Sequence, residues 1–325
     1  MIVTLTLNPS LDRTIEVPEL VRGDMVRASA TRLDPGGKGV NVARALAAHK
    51  IPTTAVVPRG GPEGRQLTEL LVAEGIDVCA VPVTGHTRSN VSLVEPDGSV
   101  TKINEPGGEL DGDDLERILK AVLDTAAAAD WVVASGSLPP GVPDTFYQQL
   151  GHRLTERGVR FAVDTSGPAL AEALAARPAL VKPNRDELAE SAGRPIDTLA
   201  DAVAAATAMR AAGAETVLAS LGAAGAVLVT GEGTGQGVRY GESPVDRGRS
   251  AVGAGDAMLA GYLAGGVTGG DALIEALSWG AAAVRFPGSR MPGPDDVDRT
   301  RVRLSASVDL TRALDGPRHG MEQIR

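Results

Sequence analysis

The run Val252-Gly253-Ala254-Gly255-Asp256-Ala257-Met258-Leu259-Ala260-Gly261 sets two glycines in front of an apolar segment with helical spacing. Small residues let the main chain approach a ligand closely, and free N–H groups at a helix start attract anions. Asp256 falls in the first turn, where the helix dipole favours its charged form. A carboxylate beside an anion hole suits one task. It takes a proton from a hydroxyl while the N–H groups of the helix start hold developing phosphoryl charge. The competing reading is a glycine-rich turn followed by an ordinary helix-start aspartate, because short motifs also arise by chance.

Four other stretches carry chemistry-bearing side chains. In Val181-Lys182-Pro183-Asn184-Arg185-Asp186-Glu187, Pro183 stops a strand and prepares a helix. Asn184 and Glu187, three apart, share a helix face and suit the waters of a Mg²⁺ ion, which keeps several waters when it bridges phosphates. They suit a helix-capping pair equally well. Ser220-Leu221-Gly222-Ala223-Ala224-Gly225 follows a strand and reads as a nucleotide border or as a plain turn. At the amino-terminal end stand Asp12 and the run Gly36-Gly37-Lys38-Gly39-Val40-Asn41. A carboxylate and an amide suit sugar hydroxyls, and Lys38 at a helix start suits a substrate phosphate or plain solvent. Arg88 is a second phosphate clamp or a surface ion pair.

These residues need a scaffold, and the hydrophobic pattern supplies one. Apolar strand-like runs at 2–7, 53–57, 131–134, 159–163, 179–182 and 216–220 alternate with helical patterns near 63–74, 113–123, 144–157, 168–176 and 198–212. Such alternation predicts βαβ units and a mostly parallel sheet covered on both faces. Ligands then sit beyond the carboxyl ends of the strands, where Asn8, Ser135-Gly136-Ser137, Asp164, Asn184 and Ser220 fall. Residues 90–104 predict a hairpin around Pro96-Asp97-Gly98, and 226–240 predict another. Helices near 254–264 and 271–284 close the domain.

Composition narrows the field. Asp plus Glu outnumber Lys plus Arg by 41 to 32, giving a net charge of −9, which disfavours nucleic acid as the main partner. Cys79 is alone, so neither an internal disulfide nor a thiolate zinc cluster can form. No apolar stretch reaches about 18 unbroken residues, and Met1 leads directly into a strand-like run. We therefore expect a cytoplasmic protein with no membrane segment. Neither a P-loop nor a G-x-G-x-x-G fingerprint is present, which disfavours hydride transfer. A non-catalytic sugar-phosphate or nucleotide sensor has no need of Asp256 with its glycines.

Taken together, the motifs resemble the ribokinase-like, or PfkB, carbohydrate kinases, over about residues 2–310. Gly36 to Ala43 is similar to the first family signature and Val252 to Gly261 to the second. Asn8-Pro9-Ser10-Leu11-Asp12, Thr87-Arg88-Ser89-Asn90 and Ser135-Gly136-Ser137-Leu138-Pro139-Pro140-Gly141 resemble the sugar-phosphate branch. That branch includes 1-phosphofructokinases, tagatose-6-phosphate kinases and minor 6-phosphofructokinases. The resemblance implies a three-layer α/β/α sandwich with a mostly parallel sheet. A small β lid would be built from about 12–33 and 88–104, and residues 311–325 would form a tail. It implies ATP and Mg²⁺, a sugar-phosphate substrate and a homodimer through the lids. It also implies roles: Asp256 as base, with Gly253, Ala254 and Gly255 as the anion hole. Lys182 would reach ATP phosphate, with Ser220, Gly222 and Gly225 along the nucleotide. Asn184 and Glu187 would organise Mg²⁺ through water. Asp12, Gly37, Asn41 and Asn104 would face the sugar, and Lys38 and Arg88 its existing phosphate. One departure stands out: Ser250-Ala251 precedes the second signature and Ala257 follows Asp256, where relatives carry Ser or Thr and then Ser.

Overall fold

The computed structural model describes residues 1–231, 237–246, 248–265, 269–305 and 308–314. The expected turn of the 226–240 hairpin at 232–236 and the expected tail from 315 onward lie outside the described residues. The larger sheet runs, in spatial order, Arg303–Leu304, Val238–Glu242, Ala226–Val229, Val217–Ser220, Leu180–Val181, Arg160–Asp164, Trp131–Ser135, Ile2–Leu5, Thr53–Arg59 and Asp77–Pro82. From Val217–Ser220 to Asp77–Pro82 every pairing is parallel; the other three strands join antiparallel.

Alternation along each strand divides the core in two. Phe161 and Val163 face one layer with Ile118, Leu150 and Leu199, while Ala162 faces the other with Val42, Leu259 and Trp279. Helices Gly112–Thr125, Phe146–Thr155 and Leu199–Ala211 therefore cover one face, and Lys38–Ala48, Ala254–Ala264 and Gly269–Val284 the other. Aromatic residues make up only 2% of the chain, so Ala, Val and Leu fill most of this space.

The second sheet has four strands in the order Ala30–Gly36, Ser10–Glu16, Arg88–Val94 and Val100–Asn104. Its register aligns Asp34, Asp12, Asn90 and Asn104 in one row across the strands. This is the small sheet expected from the two lid segments.

Three elements depart from the sequence reading. Asp77–Pro82 pairs in parallel with Thr53–Arg59 at the sheet edge, a strand the hydrophobic pattern did not reveal. Arg303–Leu304 adds a short opposite edge. Residues 311–314, expected in the tail, are fixed to the body instead. Leu199 and Leu314 donate main-chain N–H groups to Arg312 and Asp197, and Leu314 is buried in the core.

Candidate active site

The parallel strands deliver their carboxyl ends to one edge. Ser135 lies opposite Asp164 in the register, and a bridge joins Asn184 to Ser220. Lys182 follows Leu180–Val181 directly and is buried. On the other side of this edge, Gly37 makes the turn from the lid strand Ala30–Gly36 into helix Lys38–Ala48. Its φ is 115°, and a Cβ there would lie 2.8 Å from the Thr6 side chain, so only glycine fits.

Two side-chain clusters result. The first centres on Asp164, which is fully buried. Its Oδ1 accepts from Lys38 Nζ at 2.7 Å, and its Oδ2 lies 2.9 Å from Lys182 Nζ. Lys38 also donates to Glu187 Oε1 at 3.0 Å. Burial opposes ionisation of Asp164, but the two lysines outweigh it and hold the carboxyl below its usual range. Burial likewise works against the Lys38 ammonium, yet Asp164 and Glu187 hold it above the ordinary lysine value. Lys182 also borders the second signature, because a Cβ on Gly255 would lie 3.3 Å from its Nζ.

Asp256 adjoins this cluster in the first turn of Ala254–Ala264, N-capped by Gly253 in the left-handed region at φ 77°. Its Oδ2 accepts from Asn41 Nδ2 at 2.8 Å. Burial, and then the Asp164 charge, push the Asp256 carboxyl up to about 6. Among the described residues, the main-chain N–H groups of Gly253, Gly255 and Asp256 have no protein acceptor. Ala254 differs from expectation: its N–H makes a 3.3 Å bond to Ala251 O, because the turn closes on itself one residue before the helix.

Asn184 and Glu187 form a full capping box at the start of Arg185–Ala192. Each side chain accepts from the other's main-chain N–H, so the capping arrangement is present. The remaining Glu187 oxygen faces Lys38. Ser220 and Gly222 to Gly225 make the tight turn into Ala226–Val229, with Leu221 N–H bonded to Gly225 O.

The second cluster lies on the lid. Asp12 Oδ1 accepts from Ser10 Oγ at 2.7 Å and Asn90 Nδ2 at 2.9 Å. A Cβ on Gly36 would overlap the Asp12 carboxylate. Arg88 donates to Glu105 O. Burial lowers its guanidinium from the usual value, and the nearby Asp12 and Glu105 charges oppose that shift. Arg88 Nε, Asn90 Oδ1 and Asn41 Oδ1 are buried without a partner, which is costly unless a ligand supplies one. Asn104 sits across from Asn90 on the exposed outer strand.

Lys38 and Arg88, expected together on one phosphate, are thus placed in different clusters. Sequence reasoning noted Asp164 only as a strand-end residue and did not single out Ser10 or Asn90. Two cations facing two carboxylates leave the first cluster nearly neutral, with no surplus positive charge for a triphosphate. Among the described residues no group of three or more acidic, His or Cys side chains could hold a metal.

A parallel α/β sandwich with a buried carboxylate at a helix start and two lysines beside it suits phosphoryl transfer. Residues 5–285 match the pfkB family carbohydrate kinase, and the chain belongs to that family. A Rhodobacter capsulatus protein named 1-phosphofructokinase is 37% identical over 302 residues, covering 90% of this chain and 93% of that one. The Escherichia coli protein named ATP-dependent 6-phosphofructokinase isozyme 2 is 36% identical over 310 residues, covering 94% and 99%. The crystal structure of Escherichia coli phosphofructokinase-2 in complex with substrates and products matches with a TM-score of 0.84 at 34% identity, covering 91% of this chain and 96% of that one. Among the described residues, no helix is long and apolar enough to cross a membrane.

Proposed function

We propose that this kinase transfers the γ-phosphoryl group of ATP to the 6-hydroxyl of fructose 1-phosphate, giving fructose 1,6-bisphosphate. The observation that carries the reading is Asp256, a buried carboxylate in the first turn of Ala254–Ala264 that accepts from Asn41 Nδ2. Asp256 takes the proton of the attacking hydroxyl. The amides of Gly253 and Gly255 hold the oxygens of the transferring group, with Ala254 contributing less because its N–H is engaged. Lys182 against Gly255 supports a place at the terminal phosphate. Lys38 beside Asp164 and Glu187 supports the same place for its charge rather than a place at the sugar's own phosphate. Mg²⁺ bound with ATP supplies neutralisation of the phosphate oxygens, and Asn184, Glu187 and Asp164 would hold its waters. Ser220, Gly222 and Gly225 border the nucleotide.

The lid residues Asp12, Asn90 and Asn104, with Gly37 and Asn41 at the start of helix Lys38–Ala48, take the sugar hydroxyls, and Arg88 takes the existing phosphate. The unpartnered Asn90, Asn41 and Arg88 atoms support this assignment. Fructose 6-phosphate is the second reading, favoured by the relatives that carry that activity in their name. Competition between the sugars decides. We expect kcat/KM for fructose 1-phosphate to exceed that for fructose 6-phosphate and tagatose 6-phosphate on the order of tenfold or more, because hydroxyl-matching sites reject a misplaced group strongly. The reverse order would hand the assignment to the better sugar.

The lids also pair two chains in this reading. Five large apolar side chains stand exposed on the lid segments: Leu20, Val21, Met25, Val100 and Ile103, with Met25 at 77% and Ile103 at 58% exposure. Exposed apolar side chains on one small sheet and its connecting segment suit an interaction surface, and a second copy of the same lid supplies a matching one. Light scattering should give twice the 33.2 kDa chain mass. The double variant Met25→Asp/Ile103→Asp should fall to the single-chain mass; a wild-type monomer would remove the proposal.

A further inference from the structure

Arg44 lies on helix Lys38–Ala48, three residues after Asn41, and is only 7% exposed. A buried guanidinium on a helix that also carries two site residues calls for an accounting of its donors. Nε and Nη2 form a bidentate pair with Glu74 at 2.7 and 2.8 Å. Nη1 points to the opposite side. It donates to the main-chain oxygens of Pro35 at 3.3 Å and Ser289 at 3.1 Å, and to Ser289 Oγ at 3.2 Å.

Those acceptors belong to the two parts of the molecule that must meet for the reaction. Pro35 is in the lid strand Ala30–Gly36, between Asp34, which faces Asp12 in the register, and Gly36, which packs on the Asp12 carboxylate. Ser289 precedes Met291 by two residues, and a Cβ on Gly253 would lie 2.7 Å from Met291 Cε. The segment around Ser289 thus backs the anion-hole turn. The lid touches that segment a second time, since a Cβ on Gly288 would overlap the Arg32 guanidinium.

We infer that Arg44 is a positioning residue that holds the sugar-contacting lid strand in register with the Asp256 turn. The inference rests on the kinase reading only for its kinetic consequence. The guanidinium is the group for this work, because its planar fork can bind a carboxylate along one edge and two main-chain oxygens from another nitrogen. A lysine ammonium reaches Glu74 or the two carbonyls but cannot span both.

The test compares wild type with Arg44→Lys and Arg44→Met. Amide hydrogen exchange on the ligand-free proteins reads the link directly. In both variants the amides of 30–34 and 36 and of 288–291 should exchange faster together, by about tenfold or more, while the amides of strand Thr53–Arg59 other than Pro58 stay as in wild type. Steady-state kinetics reads the consequence. The KM for sugar phosphate should rise and kcat fall, each about tenfold, because misplaced partners lose near-attack geometry, while the KM for ATP changes by less than about twofold. ADP release without sugar, relative to the coupled rate, should increase in the variants. Exchange that rises in one segment alone, or in neither, overturns the link. Equal shifts in both KM values alongside general exchange across the large sheet would mark Arg44 as merely structural and also overturn it. A wild type inert toward every sugar phosphate would sink the proposed function instead, and the exchange measurement still decides the role of Arg44.

Discussion

Asp256→Asn should lower kcat by a factor on the order of 10² or more, with the KM for ATP nearly unchanged. The substitution preserves shape and leaves an oxygen to accept from Asn41 Nδ2, so only the capacity to take a proton is lost. The titration of Asp256 gives a second readout from the same residue. Burial first, and the Asp164 charge next, push its carboxyl up to about 6. Only the ionised form accepts a proton, so wild-type kcat/KM should fall about tenfold per pH unit below that value. This acid limb should vanish from the residual activity of the variant. The stability sign runs the other way. A carboxyl raised in the folded state binds its proton more tightly there than in the unfolded chain. Stability therefore declines as pH rises from the usual carboxylate range through about 6. Above that pH the variant carries no buried charge at this position, and its thermal midpoint should equal or exceed that of wild type. Near-normal turnover would refute Asp256 as the base. Lost turnover together with a lowered midpoint would show a folding defect instead.

Much of this site can be read in the residue order, and the reason is local. The second signature is a contiguous run whose glycines and apolar spacing define a helix start, and Ala254–Ala264 begins where that run predicts. The Asn184-x-x-Glu187 spacing marks a capping box, yet the helix it opens was hard to recognise because Arg185–Ala192 is largely polar, with Leu188 its one buried large apolar residue. Asp77–Pro82 escaped for a related reason. It is an edge strand, mostly half-exposed and ending in proline, so it lacks the continuous apolar run of its buried neighbours. The contacts that depend on long closures were not legible at all. Lys38 and Asp164 are 126 positions apart, and Asn41 and Asp256 are 215. A lysine at a helix start looks the same in a sequence whether it meets a sugar phosphate or a buried aspartate. Only the register of Ser135 with Asp164 and the turn at Gly37 decide which.

That closure gives the second large effect. Asp164→Ala should destabilise the fold by about 3–5 kcal/mol, because it strands a buried cation. Lys182 is the side chain left without its ion pair, at 4% exposure. Lys38 keeps Glu187 and is 34% exposed, so solvent offsets its share, which argues for the lower end of the range. For a chain of this size the thermal midpoint should drop by about 5 °C. The direction with pH follows from Asp164 itself, whose carboxyl is held low against burial by Lys182 and Lys38. A depressed carboxyl contributes stability above the ordinary aspartate range and loses it as pH falls through its folded value. The gap between wild type and variant should accordingly be full at pH 7 and narrow in strong acid. The stranded Lys182 should attract anions. Inorganic phosphate should raise the midpoint of Asp164→Ala more than that of wild type, because an anion bound only by the folded state restores the missing charge. A midpoint unchanged by the substitution would mean that Asp164 does not hold the two lysines. An equal response to phosphate would mean that they do not face the phosphate-binding edge.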